Sequence, residues 1–244
     1  MIFCYRCIFY LLILSVTPFC AQSQDVLSDL KTGDIRLFQD NYTEAVAAYS
    51  KAIERDGKLW MAYMGRATAY GKMGYYTEAI SDYTAVLQLS PQNIEAYYSR
   101  AELYRVRYEF EKAVNDFSQV VKLDSANARA YMQRGQAYHS MEEYKKALDD
   151  FSKTIEIDFY ITDAYYYRGI TKIADSNAKS AIADFTKAIE LQSSDGRYFK
   201  ERGFAYLVLG EWKAADADFK KALELDPALR PAIDEMQGLF LNRL

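Results

Sequence analysis

The chain has 244 residues and a formal net charge of −4, so it is long enough to bury a full core and too acidic to hold a phosphate backbone by bulk charge. Nucleic acid is therefore not expected as a partner. Only 4 Pro and 11 Gly serve the whole length, which leaves long stretches free of breakers and makes helix the default; 22 Tyr and 13 Phe stand against one His, His139, and three Cys, Cys4, Cys7 and Cys20.

Residues 1–21 read as an address. Arg6 is followed by an apolar run from Cys7 to Val16, then by Thr17-Pro18-Phe19-Cys20-Ala21 and the polar Gln22-Ser23-Gln24-Asp25. That is the order of a secretory signal peptide, with cleavage expected between 21 and 24 and a secreted or periplasmic destination. A spanning helix needs about 20 apolar residues; Arg6 and Pro18 leave too few, so no stable membrane span is expected after cleavage. The alternative, lipid attachment at Cys20 in an envelope lipoprotein, meets bulky Pro18-Phe19 where small residues are usual. Cys4 and Cys7 have CxxC spacing but open the apolar run, so neither redox nor metal work is expected of them. Cleavage removes every cysteine and excludes thiol catalysis.

From residue 26 a period of 34 organises the chain. Ala45, Ala79, Ala113, Ala147, Ala181 and Ala215 keep that spacing without an insertion. Four residues after each comes Tyr49, Tyr83, Phe117, Phe151, Phe185 or Phe219, and twelve before each comes Gly33, Ala67, Ala101, Gly135, Gly169 or Gly203. Residues 26–229 thus form six units, 26–59, 60–93, 94–127, 128–161, 162–195 and 196–229. Apolar residues at positions 4, 8 and 11 and at 17, 20, 24, 27 and 28 of a unit have helical spacing broken once near 14–16, so each unit is expected to be a helix pair. Small residues at 8 and 20 let the two helices approach closely, and the aromatics fill the remaining space.

These residues resemble the tetratricopeptide repeat, whose W-x2-L-G-x2-Y…A-x3-F…P pattern is best seen as Phe199, Gly203, Tyr206, Ala215, Phe219 and Pro227. The resemblance implies an all-α, right-handed α-solenoid of six helix pairs. Unit one departs from it with Asp29, Thr32 and Arg36 in its first helix, as a terminal cap would; unit five, with Lys172, Ala178 and the polar Asp175-Ser176-Asn177 turn, is expected to be the loosest. Residues 230–244, with Pro231 in a first turn and Ile233, Met236 and Phe240 on one face, are expected to form a helix that caps the last unit.

Position 7, usually Leu in the family, holds Arg66, Arg100, Arg134, Arg168 and Arg202, and position 23 holds Asp82, Asp116, Asp150, Asp184 and Asp218. Unit one lacks both, with Thr32 and Ala48, so the expectation is an Arg–Asp bridge inside each of the other five units.

Positions 2, 5, 9 and 12 form a second stripe on the first helix. In tetratricopeptide proteins it lines the concave side, so the resemblance implies a binding groove there, with Met64, Tyr98, Arg105, Met132, His139, Tyr166, Tyr167, Ile170, Lys200 and Phe204 as its candidate residues. Such a groove suits a peptide or helical segment of a partner protein. The family's carboxylate clamp needs Lys at 5 and Asn at 9 of an early repeat, where this chain has Leu30 with Asp34 and Met64 with Thr68, so a chaperone-tail receptor is not expected. The expected function is a non-enzymatic protein-interaction scaffold without cofactor or metal: one histidine builds neither a triad nor a zinc site, and no phosphate loop is present. A glycan-binding module using the surplus tyrosines, or an envelope-assembly lipoprotein, are the alternatives.

Overall fold

The computed structural model describes residues 24–241. The signal-peptide, cleavage, lipid-attachment and cysteine readings, all on residues 1–24, concern the segment before the first helix and lie outside the described residues, apart from Gln24 itself. The described chain is α-helical apart from turns and one 3-10 segment, and contains no strand. It divides into two compact units, the first running to Arg107 and the second beginning at Tyr108. The first holds α1 (24–38), α2 (Tyr42–Arg55), α3 (Trp60–Lys72), α4 (Tyr76–Leu89) and α5 (Ile94–Val106). The second holds α6 (Phe110–Leu123), α7 (Ala128–Ser140), α8 (Tyr144–Ile157), α9 (Thr162–Ala174), α10 (Ala178–Leu191), α11 (Gly196–Val208), α12 (Trp212–Leu225) and α13 (Arg230–Leu241). Within each unit the helices pack in order, α2 to α5 in the first and α6 to α12 in the second, as in an all-α solenoid, while α13 turns back onto α11.

Each hairpin inside a unit is made by one device. Position 15 takes a left-handed conformation in all six repeats: Asp40, Gly74, Tyr108, Glu142, Ser176 and Gly210 have φ between 56 and 80°. The following N–H then reaches back to the carbonyl of position 11, as from Tyr75 to Tyr70 (2.9 Å), Glu143 to Tyr138 (2.9 Å) and Glu211 to Tyr206 (2.9 Å). This is the Schellman closure, which satisfies carbonyls that a helix end otherwise leaves bare. Only two of the six residues are glycine, so the other four carry the steric cost of that backbone, about 1 kcal/mol each. Between repeats, Asn93 and Asn127 cap α5 and α7 by accepting from the N–H of Ala96 (2.9 Å) and Ala130 (3.0 Å).

The cores follow the small-and-aromatic pattern. Ala45, Ala79, Ala113, Ala147 and Ala181 are fully enclosed, and Tyr49, Phe117, Phe151 and Phe185 are buried beside them, each contributing about 2 kcal/mol by leaving water. The Tyr49 ring is held between Gly33 and Gly65, where a Cβ would come within 2.5 and 2.3 Å of it. Its hydroxyl donates to Asp34 Oδ1 at 2.8 Å, a bond the period does not reveal.

The fifth repeat is filled rather than slack at its two odd positions. Lys172 Nζ lies 2.7 Å from Asp184 Oδ2, and Ala178 is buried. Asn177 caps α10 from the polar turn, accepting from Ser180 N–H at 3.3 Å. At the other end the chain passes through a 3-10 turn, Pro227–Leu229, into α13, whose Ile233 is buried among Phe199, Leu207 and Phe219. That contact covers the sixth pair as the capping expectation requires. No helix among the described residues is long and apolar enough to cross a membrane.

Candidate functional site

Two faces of the first helices carry the chain's distinctive side chains. On one, the guanidinium at position 7 is held from three directions. Arg134 donates from Nε and Nη2 to both carboxylate oxygens of Asp150 (2.8 and 2.7 Å), and from Nη1 to Ser118 Oγ of the preceding repeat (3.0 Å). Its carbon sits 5.4 Å from the centre of the Tyr131 ring and 5.9 Å from that of Tyr138. The same fork recurs in Arg66 with Asp82 and Ser50, Arg168 with Asp184 and Ser152, and Arg202 with Asp218 and Thr186. The fifth expected pair, Arg100 and Asp116, has its members in different units; within the first unit Arg100 donates to Thr84 Oγ1 at 2.8 Å.

Burial pushes the Asp150 carboxyl above its ordinary range while Arg134 pulls it back, the balance expected where desolvation nearly cancels an ion pair. The hydroxyl partner carries its own periodic mark: Ser50, Thr84, Ser118, Ser152 and Thr186 recur every 34 residues at position 25, and the sixth unit, followed by no further arginine of this series, has Lys220. The arginine therefore ties a repeat to its predecessor as well as closing its own hairpin.

The second face is the stripe at positions 2, 5, 9 and 12. In the first unit Met64 and Tyr98 are half-buried on it. Thr68 lies between helix turns, its hydroxyl donating to the Met64 carbonyl (3.0 Å) and sitting 3.3 Å from the Tyr83 hydroxyl. Arg105 donates from Nη2 to Glu102 Oε2 at 3.1 Å, while Arg105 Nε and Glu102 Oε1 have no hydrogen-bond partner among the described residues.

In the second unit the candidates divide. Ile170, Lys200, Phe204 and His139 are half-buried, with Lys200 Nζ 2.8 Å from Glu201 Oε1. Met132 and Tyr166 are buried, at 6% and 8% exposure, which makes them floor rather than lining. Tyr166 lies against Tyr198 (ring centres 5.4 Å apart), Tyr167 (5.2 Å) and the Arg197 guanidinium (5.4 Å). Tyr167, one position along, leaves the stripe and stacks on Phe151 at 6.1 Å. Burial pushes the Tyr198 hydroxyl up to about 12. Tyr198 was missed because position 3 is Ala in the four preceding units, Ala62, Ala96, Ala130 and Ala164, and a single exception leaves no periodic mark.

Tetratricopeptide repeat models match residues 30–94, 108–142, 128–159 and 196–229, together more than half of the chain. The chain belongs to the tetratricopeptide repeat family. No curated protein sequence matches it. Among solved structures, the crystal structure of MamA is similar at TM-score 0.67 and 27% identity, covering 72% of this chain and 96% of its own. YrrB, described as a TPR protein with an unusual peptide-binding site, is similar at 0.66 and 21%, covering 81% and 98%. A tetratricopeptide repeat protein from Parabacteroides merdae is similar at 0.59 and 23%, covering 88% and 84%. Repeat family and fold together support a protein-interaction scaffold.

Proposed function

We propose that the chain is a non-enzymatic scaffold acting outside the cytoplasm, seating a peptide or helical segment of a partner protein on the stripe at positions 2, 5, 9 and 12. The observation that carries this reading is the contrast between the two faces. Arginines of the fork are consumed by internal partners, whereas the stripe offers half-buried Met64 and Tyr98 with hydrogen-bonding Arg105 in the first unit, and half-buried Ile170 and Phe204 with hydrogen-bonding His139 in the second. Such alternation suits a segment that brings apolar anchors and backbone polar groups together. The similarity to YrrB, a protein described as having a peptide-binding site, points the same way. The extracytoplasmic part of the reading rests on the order of residues 1–25.

Affinity capture with the chain against Tyr98→Ala and Ile170→Glu variants tests the groove. A partner lost from both variants, with helicity unchanged by circular dichroism, is the expected result; equal recovery moves the binding face elsewhere. Protease accessibility of the chain in intact and permeabilised cells tests the location.

A further inference from the structure

His139 is the single histidine of the chain and occupies position 12 of the fourth repeat, where the other repeats have Leu37, Gly71, Arg105, Ile173 and Leu207. Thr171 occupies position 10 of the fifth, where the others have Ile35, Ala69, Leu103, Ala137 and Ala205. These two departures from the repeat meet each other: His139 Nδ1 lies 2.9 Å from Thr171 Oγ1, and Thr171 is fully buried.

The direction of that bond is fixed by a third atom. The Thr171 hydroxyl has one hydrogen and lies 2.7 Å from the carbonyl oxygen of Tyr167, which accepts only. The hydroxyl hydrogen goes there, so the lone pair of Oγ1 faces Nδ1 and the proton between them belongs to the imidazole. A neutral imidazole carries one N–H. With that hydrogen on Nδ1, Nε2 is left as a bare acceptor. Burial lowers the His139 pKa, which keeps the ring in this neutral form at physiological pH. The ring is steadied on its other side by Tyr144, 5.7 Å between centres. Nε2 has no hydrogen-bond partner among the described residues, and it is not among the atoms sealed from solvent.

We propose that His139 presents Nε2 to the stripe as a fixed hydrogen-bond acceptor for an uncharged N–H or O–H donor of the bound segment, with Thr171 as the positioning residue that sets the tautomer. The proposal rests on the groove reading above and adds the chemistry of one of its positions. Thr171 supplies the bias that free imidazole lacks, since histidine in water prefers its hydrogen on Nε2. On the same helix as Thr171, the stripe positions Ile170 and Ile173 are aliphatic.

Because the histidine is unique, long-range proton–nitrogen correlation spectra of the chain at neutral pH report its tautomer without assignment ambiguity. The expected spectrum shows hydrogen on Nδ1 and an unprotonated Nε2, reverting to Nε2–H in Thr171→Val; Nε2–H in the unaltered chain overturns the proposal. The second arm uses peptides selected on the chain from a random phage-displayed library. Their binding is expected to weaken about tenfold on His139→Phe and to be retained on His139→Gln, whose amide oxygen restores an acceptor. Peptides indifferent to His139→Phe but lost on Ile170→Glu overturn the acceptor while leaving the groove intact. Peptides indifferent to both overturn the groove reading itself.

Discussion

Repeats one and four are cut to the same 34-residue template, yet one end of the first lacks what the fourth is built around. In repeat four, Arg134 joins Asp150, Ser118 and two tyrosine rings. In repeat one, Thr32 and Ala48 stand at those positions and leave a cavity of about 220 Å³, bordered by Asp29, Arg36, Glu44 and Lys51. Arg36 Nε there pairs with Glu44 Oε2 at 2.9 Å in an exposed bridge. The difference teaches what the arginine is for. Its third donor needs a hydroxyl from the repeat before, and where the sequence places no such repeat, arginine, aspartate and flanking tyrosines all disappear together. A guanidinium in repeat one would bind its aspartate but lack that hydroxyl, and charged side chains border the site instead.

Breaking the fork in repeat four is expected to have the largest effect. Arg134→Ala strands Asp150 as a buried charge and is expected to cost about 3–5 kcal/mol in chemical denaturation, whereas Thr32→Ala in repeat one costs near zero. Replacing both members, Arg134→Met with Asp150→Leu, is expected to recover most of that loss, because two well-fitted apolar chains avoid the desolvation. A double variant as unstable as the single one would mean the bridge is worth more than its burial costs.

The comparison is sharpened by building the missing pair. Thr32→Arg with Ala48→Asp places the fork in the cavity of repeat one, and a double-mutant cycle is expected to give a favourable coupling of about 1 kcal/mol. Tyr49→Phe, which removes the repeat-one hydroxyl bonded to Asp34, is expected to cost about 1 kcal/mol in the same assay. Glu142→Gly relaxes a left-handed turn residue of repeat four and is expected to stabilise by about 0.5 kcal/mol, the gain in backbone freedom exceeding the entropy that glycine brings to the unfolded chain. The smallest effect is on pH dependence. Burial lowers the pKa of His139, so the neutral ring's contribution is intact above the unfolded value of about 6.5 and is lost as pH falls through the folded one. Stability measured against pH for the chain and for His139→Gln isolates that slope, and repeat one contributes nothing to it.

The helix pairs, their order and the Arg–Asp partnership within a repeat were legible in the sequence because each leaves a mark every 34 residues. The hydroxyls at position 25 left the same mark and were passed over, since Ser and Thr suit any helix surface and look innocuous until a donor is seen facing them. Tyr166 belongs to a different class. Its position predicts the stripe, but the bulk of Tyr198 in place of alanine closes over it, and only three dimensions show one repeat's exception covering the preceding repeat's rule. Left-handed turns at Tyr108, Glu142 and Ser176 were likewise hidden, because the residue type argues against the conformation that the hairpin imposes. The His139–Thr171 meeting rests on two single exceptions, which periodicity averages away by its nature.

Arg66, Arg134, Arg168 and Arg202 each reach sixteen residues back to a hydroxyl and sixteen forward to a carboxylate, so the fork has the same reach in all four repeats. Excising residues 128–161 would bring Ser118 to the spacing from Arg168 that Ser152 holds now, with nothing to redesign at the splice. The internal repeats are thus cut to one fastening pattern, so the array can lengthen or shorten by a whole internal module while the spacing of its forks is preserved.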